Sequence, residues 1–426
     1  MKILSGEPSL VSMKTMDSSN RTRRSILGSS PRFYPSNRIT LLENGAAYFA
    51  AMEATLDRAR QEVYLETYIY AADTTGWRIA DALVRAARRG VTVHVLIDGY
   101  GSKDLTRALP ERLREGGVEV LIYRPKISPW TFRRKRLRRM HRKIVVIDRE
   151  VAFVGGINLL DDRESTGHRL PRFDYAVAVE GPLVAVIRRS ARHLWLRAAR
   201  STLRKGVLRR GTPPQAISDV GTMRAAFLVR DNFRHRRQIE AAYLRAIDRA
   251  KVEILLASAY FLPGINFRHA LDRAAGRGVR VVLLLLGRFD HRLQHYAAQA
   301  LYGYFLAAGI EIYEFHQSFL HAKVAAIDEH WATVGSSNID PFSLLLSLEA
   351  NVVVDNPAFA AALAQSLKQN VVTHGERVLM DTWKLQPAGI RFVSWLSYGL
   401  LRLMMGISGY HREIGQVKVG RKQGPN

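Results

Sequence analysis

The sequence predicts an α/β protein in which one domain, an α/β sandwich, occurs twice. Two observations lead to this fold class. Several segments of the first half recur in the same order in the second half, and within each half β-rich apolar runs alternate with helical patterns. Because alternating strands and helices usually form a sheet with helices packed on it, we expect two similar domains related by a pseudo-two-fold axis.

The repeat covers strands on both sides of a helix. In the first copy, apolar residues from Trp77 to Ala87 fall on one helical face, and Gly90 stands where a helix commonly ends. Residues 91–98 then form a continuous apolar run, which is typical of a strand buried on both faces. The matching segments are EVYLETYIY (62–70) with EILLASAYF (253–261), RAARRGVTVHVLID (85–98) with RAAGRGVRVVLLLL (273–286), and GVEVLIY (117–123) with GIEIYEF (309–315).

The domain boundaries follow from changes in composition. A stretch rich in basic residues, Gly and Pro between Leu203 and Val220 separates the two copies, and a polar stretch precedes the first copy. The predicted organisation is a polar lead-in (1–37), a first domain (38–202), a linker (203–220), a second domain (221–385) and an apolar, basic C-terminal tail (386–426).

The composition limits the classes of function. The chain has 426 residues, and 64 Lys and Arg against 38 Asp and Glu give a formal net charge of +26. Hydrophobic residues make up 47%, as in an ordinary globular protein, so this charge lies on a folded surface that attracts nucleic acid, an anionic membrane or a phosphorylated substrate. The lack of cysteine excludes disulfides, cysteine metal sites and a cysteine nucleophile.

One motif, H-x-K-x4-D-x6-G-[GS]-x-N, occurs at matching places in both halves. The copies lie in MHRKIVVIDREVAFVGGINLLD and LHAKVAAIDEHWATVGSSNID. Two copies at equivalent points of a duplicated domain make coincidence a poor explanation. The candidate catalytic residues are His141, Lys143 and Asp148 with Asn158 in the first copy, and His321, Lys323 and Asp328 with Asn338 in the second.

This motif predicts a phosphodiester site at the interface of the two halves. Side chains two positions apart on a strand share a face, so His141 should lie beside Lys143, and His321 beside Lys323. One histidine is expected to attack phosphorus and the other to protonate the leaving alkoxide, while the lysines and both motif asparagines stabilise charge on the phosphate oxygens. We expect no cofactor and no metal, because the lysines would repel a cation.

Two acidic residues are predicted to orient the histidines. A nucleophilic histidine needs its second ring nitrogen held, commonly by a carboxylate. Asp174 opens an apolar strand after the first motif, and Glu349 opens one after the second, at similar distances from the histidine of the same copy. Solvated acids at strand starts would also fit this pattern. Asp148 and Asp328 follow the motif strands at turns, and we expect them to form hydrogen bonds within the motif rather than transfer protons.

The motifs resemble those of the phospholipase D superfamily. The chain is similar to the bacterial cardiolipin synthases, in particular to their short form without N-terminal transmembrane helices, from about Ile39 to Leu385. The IDPFS…LEAN stretch favours a cardiolipin synthase over a nuclease of the superfamily. Further segments that carry the resemblance are LLENGAAYF (41–49), LETYIY (65–70), LIDGYGS (96–102), RRMHRKIVVID (138–148), FVGGIN (153–158), DYAV (174–177), HWATVGSSN (330–338) and IDPFSLLLSLEANVV (339–353).

This resemblance implies phospholipase D-like domains and a phosphatidyl transfer. A phosphatidyl group would pass from one phosphatidylglycerol to a histidine with loss of glycerol, and a second phosphatidylglycerol would then take it up to give cardiolipin. By the resemblance His141 is the nucleophile and His321 the acid and then the base, while the near-symmetry of the motifs leaves the reverse assignment open. Phosphatidylethanolamine is an alternative donor or acceptor.

Two segments are predicted to contact an anionic membrane. Residues 391–410 form an apolar helical pattern interrupted by Arg402, which suits a helix in the bilayer interface or one packed on the domains. We therefore expect a peripheral protein of a bacterial inner membrane, on its cytoplasmic side. The other segment joins an aromatic residue to a basic run before the first motif, as suits lipid headgroups: Trp130, Arg133, Arg134, Lys135, Arg136, Arg138 and Arg139.

Other functions fit part of the sequence. A phospholipase D hydrolase, a phosphatidyltransferase using phosphatidylethanolamine, and a nuclease would use the same two histidines, since DNA is also a phosphodiester polyanion. The apolar C-terminal helix favours lipid over nucleic acid. A membrane-binding scaffold without activity would predict degraded motifs, and all six His, Lys and Asp positions are intact. The sequence assigns no oligomeric state.

Overall fold

The computed structural model describes residues 30–125, 139–161, 171–201, 219–231, 235–287, 292–340, 343 and 347–407. In this part of the chain, strands and helices alternate along both halves, which confirms the predicted α/β class.

The first half begins with a strand inside the predicted lead-in. The lead-in was expected to reach residue 37, but the strand begins at Tyr34 and pairs with strands of both halves. The described elements of this half are β1 (Tyr34–Glu43), α1 (Asn44–Arg58), β2 (Glu62–Thr67), α2 (Thr74–Arg88), β3 (Thr92–Asp98), α3 (Ala108–Glu115), β4 (Glu119–Tyr123), β5 (Ile144–Ile147), β6 (Val151–Gly155), β7 (Tyr175–Glu180) and α4 (Leu183–Ser201).

The second half repeats this order and then extends it. Its described elements are β8 (Met223–Arg230), α5 (Gln238–Arg249), β9 (Glu253–Ser258), α6 (Ile265–Gly276), β10 (Arg280–Leu286), α7 (Arg292–Gln299), α8 (Tyr302–Ala307), β11 (Glu311–Phe315), β12 (Lys323–Ile327), β13 (Trp331–Gly335), β14 (Glu349–Asp355), α9 (Pro357–His374), β15 (Gly375–Val378), α10 (Met380–Lys384) and α11 (Ala388–Ile407).

The strands of both halves join into one mixed sheet. Its order is β15-β11-β10-β9-β12-β13-β14-β8-β1-β7-β6-β5-β2-β3-β4. Read outward from the β8–β1 pair, the seven strands on each side correspond one to one, and β15 extends one edge. This order confirms the duplication, and the antiparallel pairing of β1 with β8 connects the two copies through their backbones.

A core between the two copies belongs to both of them. Val146 and Val177 of the first copy share a cluster with Val324 and Val352 of the second, and α4 and α9 pack into the same cluster. The outer face of each sheet has its own core, formed with α1–α3 in the first copy and with α5–α8 in the second. Neither copy can therefore bury its inner face without the other.

The motif aspartates hold the far ends of the motif strands. Asp148 accepts hydrogen bonds from the backbone N–H groups of residues 60–62 at 2.7–3.0 Å, and Asp328 does the same with residues 251–253 at 2.8–3.0 Å. The predicted hydrogen-bonding partners within the motif were wrong, because β5 and β12 pair with β2 and β9 and place those segments against the turns. The two aspartates lie beyond β5 and β12, at the opposite strand ends from the histidines.

Candidate active site

Each motif histidine is hydrogen-bonded through its backbone to the other copy of the domain. The N–H of His141 donates to the carbonyl of Leu348 at 2.9 Å, and the N–H of His321 donates to the carbonyl of Phe173 at 2.8 Å. Leu348 directly precedes Glu349, and Phe173 directly precedes Asp174. These backbone bonds therefore bring each acid to the histidine of the other copy.

The histidine–acid pairs are formed crosswise. The Nδ1 atom of His141 lies 3.1 Å from Oε2 of Glu349, and Nδ1 of His321 lies 2.6 Å from Oδ2 of Asp174. Grouping each acid with the histidine of its own motif was wrong. Within the described residues, the hydrogen bonds of both rings are made at Nδ1, which leaves Nε2 to face a substrate.

The two acids differ in length, and their surroundings differ to match. Gly156 lies against the shorter acid, since a Cβ atom there would come within 2.4 Å of Oδ1 of Asp174. The equivalent residue of the second copy is Ser336, whose hydroxyl donates to Oε2 of Glu349 at 2.5 Å. The residue at the [GS] position of each motif therefore matches the acid that it contacts.

Both motif lysines are buried beside the histidines. The Nζ atom of Lys143 donates to the carbonyl of His141 at 2.8 Å, and Lys323 donates to the carbonyl of His321. Burial lowers the pKa of Lys143 to about 7 and that of Lys323 to about 8. A buried ammonium with a weakened proton affinity gains strongly from an anionic ligand, because the ligand replaces the missing solvation.

The surroundings of both motif histidines disfavour the protonated imidazole. Burial lowers the pKa of His141, the carboxylate of Glu349 opposes this shift, and the charge of Lys143 adds to it. Burial lowers the pKa of His321 well below 6.5, and the charges of Lys323 and Arg172 act in the same direction. Burial raises the pKa of Asp174 to about 6. Neutral imidazoles suit a nucleophile, whereas an acid must first gain a proton.

The motif asparagines follow the second motif strands into the site. Oδ1 of Asn158 accepts a hydrogen bond from the N–H of Ile69 at 3.2 Å. Asn338 is buried, and its Oδ1 has no hydrogen-bond partner among the described residues. Asn158 lies in the wall of a small cavity beside the second histidine, which is lined by Ile157, Asn158, Leu160, Arg172, Asp174 and His321.

Sequence reasoning missed several residues around His141. The ring of Tyr68 lies 4.7 Å from the imidazole and 5.2 Å from Nζ of Lys143. Asp98 accepts a hydrogen bond from the N–H of Met140 at 2.8 Å and so holds the segment that enters the site. Both residues stand in segments that carry the resemblance, LETYIY and LIDGYGS, but their spacing alone gave no sign of contact with the histidine.

A buried ion pair also lies on this side. Arg142 and Glu66 approach within 2.8 Å, where the second copy has Ala322 and Ala257. Burial raises the pKa of Glu66 to about 7, although the guanidinium opposes this rise. The alternation of the strand directs these two side chains away from the face of His141 and Lys143.

The predicted basic run is described only at its end. Trp130 and the residues from 133 to 138 lie outside the described residues. Arg139 is described, and its guanidinium lies 4.7 Å from the ring centre of Tyr100.

The apolar C-terminal pattern forms α11, which packs on α7 with the less apolar of its faces. Ser394, Ser397 and Leu401 are buried, and Leu401 joins the outer core of the second copy. The opposite face is exposed and apolar: Phe392, Trp395, Leu396, Leu400 and Leu403. In the described part of the chain, no helix combines the length and apolar character needed to cross a membrane.

Two copies of a sheet domain, two crosswise histidine–acid pairs and two buried lysines define a protein of the phospholipase D class. The chain belongs to the family described as "Cardiolipin synthase, PLD-like domain", whose model matches residues 52–195 and 243–371. The two matched ranges correspond to the two copies seen in the sheet.

The chain is also similar in sequence to individual cardiolipin synthases. The chain is 41% identical over 352 residues to cardiolipin synthase B of Salmonella typhimurium, covering 80% of this chain and 82% of the relative. It is 38% identical to cardiolipin synthase B of Escherichia coli K12 with the same coverage, and 32% identical over 367 residues to cardiolipin synthase A of Pseudomonas putida GB-1, covering 85% and 75%.

One solved structure shares the fold over nearly the whole chain. The crystal structure of phosphatidylserine synthase from Haemophilus influenzae matches with a TM-score of 0.65 and 12% identity, covering 92% of this chain and 99% of that one. At this identity the match concerns the fold alone.

Proposed function

We propose that this protein is a cardiolipin synthase that transfers a phosphatidyl group between two phosphatidylglycerol molecules. The observation that supports this most directly is the pair of histidines, each held at Nδ1 by an acid of the other copy and accompanied by a buried lysine. The names of the relatives supply the lipid substrate.

In the first step His141 is the nucleophile. Its Nε2 attacks the phosphorus of phosphatidylglycerol, the bond from phosphorus to the glycerol headgroup breaks, and His321 gives a proton to the leaving alkoxide. Binding of the negative phosphodiester favours protonation of His321, because an anion nearby raises the pKa of an imidazole. Glu349 balances the positive charge that develops on His141.

In the second step the roles of the proton donor and acceptor reverse. The hydroxyl of a second phosphatidylglycerol gives its proton to His321 and attacks phosphorus, and the bond from phosphorus to His141 breaks to release cardiolipin. Lys143, Lys323 and the two motif asparagines are the donors to the phosphate oxygens in both transition states. Asp148 and Asp328, which bond to backbone N–H groups beyond the strands, are proposed to hold the motif geometry.

The membrane is the proposed partner, and α11 is proposed to reach it. β9 and β10 run in parallel, and Ser258 at the end of β9 pairs with Lys323, so the end of β10 lies at the same edge of the sheet as the active site. α7 begins shortly after β10, and α11 packs on α7. The exposed apolar face of α11 thus belongs to the region of the molecule that must meet lipid.

The location proposed is the cytoplasmic face of a bacterial inner membrane, where the protein is peripheral. A net charge of +26 favours a surface rich in anionic lipid such as phosphatidylglycerol or cardiolipin. Salt should weaken such binding, since exposed charges are screened.

Incubation with labelled phosphatidylglycerol, alone and with phosphatidylethanolamine, tests the function. We expect cardiolipin and glycerol, and loss of both with His141→Ala or His321→Ala. His235→Ala is the matched control, because His235 also contacts an acid, Asp231 at 2.8 Å, but is exposed. Phosphatidic acid as the main product would identify a hydrolase. The absence of any product would identify a scaffold, and cleavage of DNA in a parallel reaction would identify a nuclease.

A further inference from the structure

The two sides of the active site are not equivalent. The motifs supply the same residues twice, but Arg172 occurs on one side only. It stands two residues before Asp174, and the equivalent position before Glu349 is Ser347. The bridges Phe173–Leu320 and Met140–Leu348 place the two acids, and hence these two positions, in equivalent surroundings. A guanidinium therefore stands at this position on the side of His321, and a serine stands at the equivalent position on the side of His141.

Arg172 lies in the wall of the cavity beside His321. It lines this cavity with Asn158, Asp174 and His321, and its guanidinium lies 5.1 Å from the ring centre of Phe319, whose ring is 6.2 Å from that of His321. Its Nε atom is buried and has no hydrogen-bond partner among the described residues. A buried donor without a partner is costly, so an acceptor brought by a ligand would be favoured there.

The residues around His141 differ from those around His321. Around His141, Tyr68 covers the imidazole, where the second copy has Ala259, and the guanidinium of Arg139 lies over the ring of Tyr100. The charge of Arg172 also acts on Asp174, Lys323 and His321, as expected for a group close to all three. The two sides thus differ: Tyr68 covers the imidazole of His141, whereas a cavity lies beside His321 together with the buried Nε atom of Arg172, which has no hydrogen-bond partner among the described residues.

Transfer between two phosphatidylglycerol molecules needs two phosphate sites. One phosphate reacts between the histidines and is held by the lysines. The other belongs to the acceptor, keeps its charge throughout, and is joined to the attacking hydroxyl by one glycerol unit. That hydroxyl must reach the histidine that removes its proton, so the second phosphate lies close to this histidine. A planar guanidinium is well suited to bind it through two oxygens.

We propose that Arg172 binds the phosphate of the acceptor phosphatidylglycerol beside His321 and so directs the phosphatidyl group to a lipid rather than to water or a simple alcohol. The proposal rests on the proposed function and adds the acceptor side to it. It also distinguishes the histidines, because the acid and base must be the histidine next to Arg172.

Competition between two acceptors tests this. Vesicles of phosphatidylglycerol and phosphatidylcholine are supplied with ethanol, and cardiolipin and phosphatidylethanol are measured in the same reaction. For Arg172→Gln we expect the ratio of cardiolipin to phosphatidylethanol to fall by about tenfold or more, because a hydrogen bond to a charged phosphate is lost only for the lipid acceptor. Arg172→Lys should give an intermediate ratio, since it keeps the charge without the planar fork.

The ratio is independent of the amount of folded enzyme, because both products come from the same intermediate. Arg224→Gln is the matched control: this arginine lies 4.7 Å from the ring centre of Phe33 but near the opposite strand end, and it should leave the ratio unchanged. An unchanged ratio with Arg172→Gln would overturn the proposal. Wild-type enzyme that forms phosphatidylethanol but no cardiolipin would instead overturn the proposed function, before any variant is considered.

Discussion

Asp174 and Glu349 make the same kind of contact with side chains of different length. Each contacts Nδ1 of a histidine, and the residue at the [GS] position of the motif compensates for the difference: Gly156 leaves space for the aspartate, while Ser336 donates to the glutamate. We therefore expect an exchange of aspartate for glutamate, or the reverse, at either position to hold the histidine poorly, even though the charge is preserved.

Removing the charge of either acid should impair catalysis more than folding. Asp174→Asn keeps the size of the side chain, but its amide favours the wrong tautomer of His321, and a loss of roughly 10²–10⁴ in turnover is expected. Glu349→Gln should act similarly through His141. Asp355→Asn is the control, since Asp355 lies 2.6 Å from the exposed His330 away from the site. Near-normal turnover of Asp174→Asn would contradict the orienting role.

Lys143 is expected to reduce stability while serving catalysis. Its pKa of about 7 in the folded protein lies far below the usual 10.5, so the unfolded chain binds more protons between these pH values and stability rises with pH in that window. Lys143→Met should therefore raise the melting temperature most below pH 7, and this gain should shrink as the pH rises toward 10. Turnover should be lost.

Thermal unfolding at pH 6 and pH 9 checks this expectation. Lys103→Met, at an exposed position, serves as the control and should change the melting temperature little at either pH. A lower melting temperature of Lys143→Met at pH 6 would show that its hydrogen bond to the carbonyl of His141 outweighs the cost of burying the ammonium.

At the scale of elements, α11 has one face packed on the protein and one apolar face exposed. The sequence allowed a helix in the bilayer interface or a helix packed on the domains. The structure packs the face with Ser394 and Ser397 on the protein and leaves the face with Phe392 and Trp395 exposed. Apolar side chains that are not needed for packing are available to a bilayer.

Substitution of the exposed face should weaken membrane binding without unfolding the protein. For Phe392→Ser with Trp395→Ser we expect affinity for phosphatidylglycerol vesicles to fall more than about tenfold, since each large side chain loses its transfer into the interface. Activity on detergent-dispersed lipid should persist. Val372→Ser is the control on α9, where Val372 is 83% exposed. Unchanged vesicle binding would contradict the proposed partner.

At the scale of the whole molecule, the two copies are parts of one active site. Each histidine depends on an acid of the other copy, and one core is shared between them. We therefore expect the two motifs to function only when the copies are joined as the β1–β8 pair and the central core arrange them.

Separated halves should be inactive. We expect residues 1–211 and 212–426, expressed singly, to show no turnover of phosphatidylglycerol, because each lacks a partner acid and exposes half of the shared core. Co-expression should restore activity, and gel filtration of the restored enzyme should show one copy of each half. Turnover by one half alone as a monomer would contradict the crosswise pairing.

The sequence alone predicted the duplicated α/β fold and most residues of the candidate site. The internal repeat predicted two α/β copies, and the period-two pattern of a strand placed His141 with Lys143 and His321 with Lys323. The two acids that contact the histidines were also singled out by sequence, since they open strands at matching places of the two copies. These features depend on local periodicity or on comparison of the chain with itself, and neither requires knowledge of long-range contacts.

Only the tertiary structure decided the partners across the copies. Asp174 and Glu349 each pair with the histidine of the other copy, because the residues directly before them, Phe173 and Leu348, bridge to the opposite motif. The same packing lets Asp148 and Asp328 accept hydrogen bonds from backbone N–H groups at and just before the starts of β2 and β9. It also places Arg172 beside His321 and leaves an apolar face of α11 exposed. Spacing along a chain does not record which strand ends meet, because that depends on how the shared core is packed.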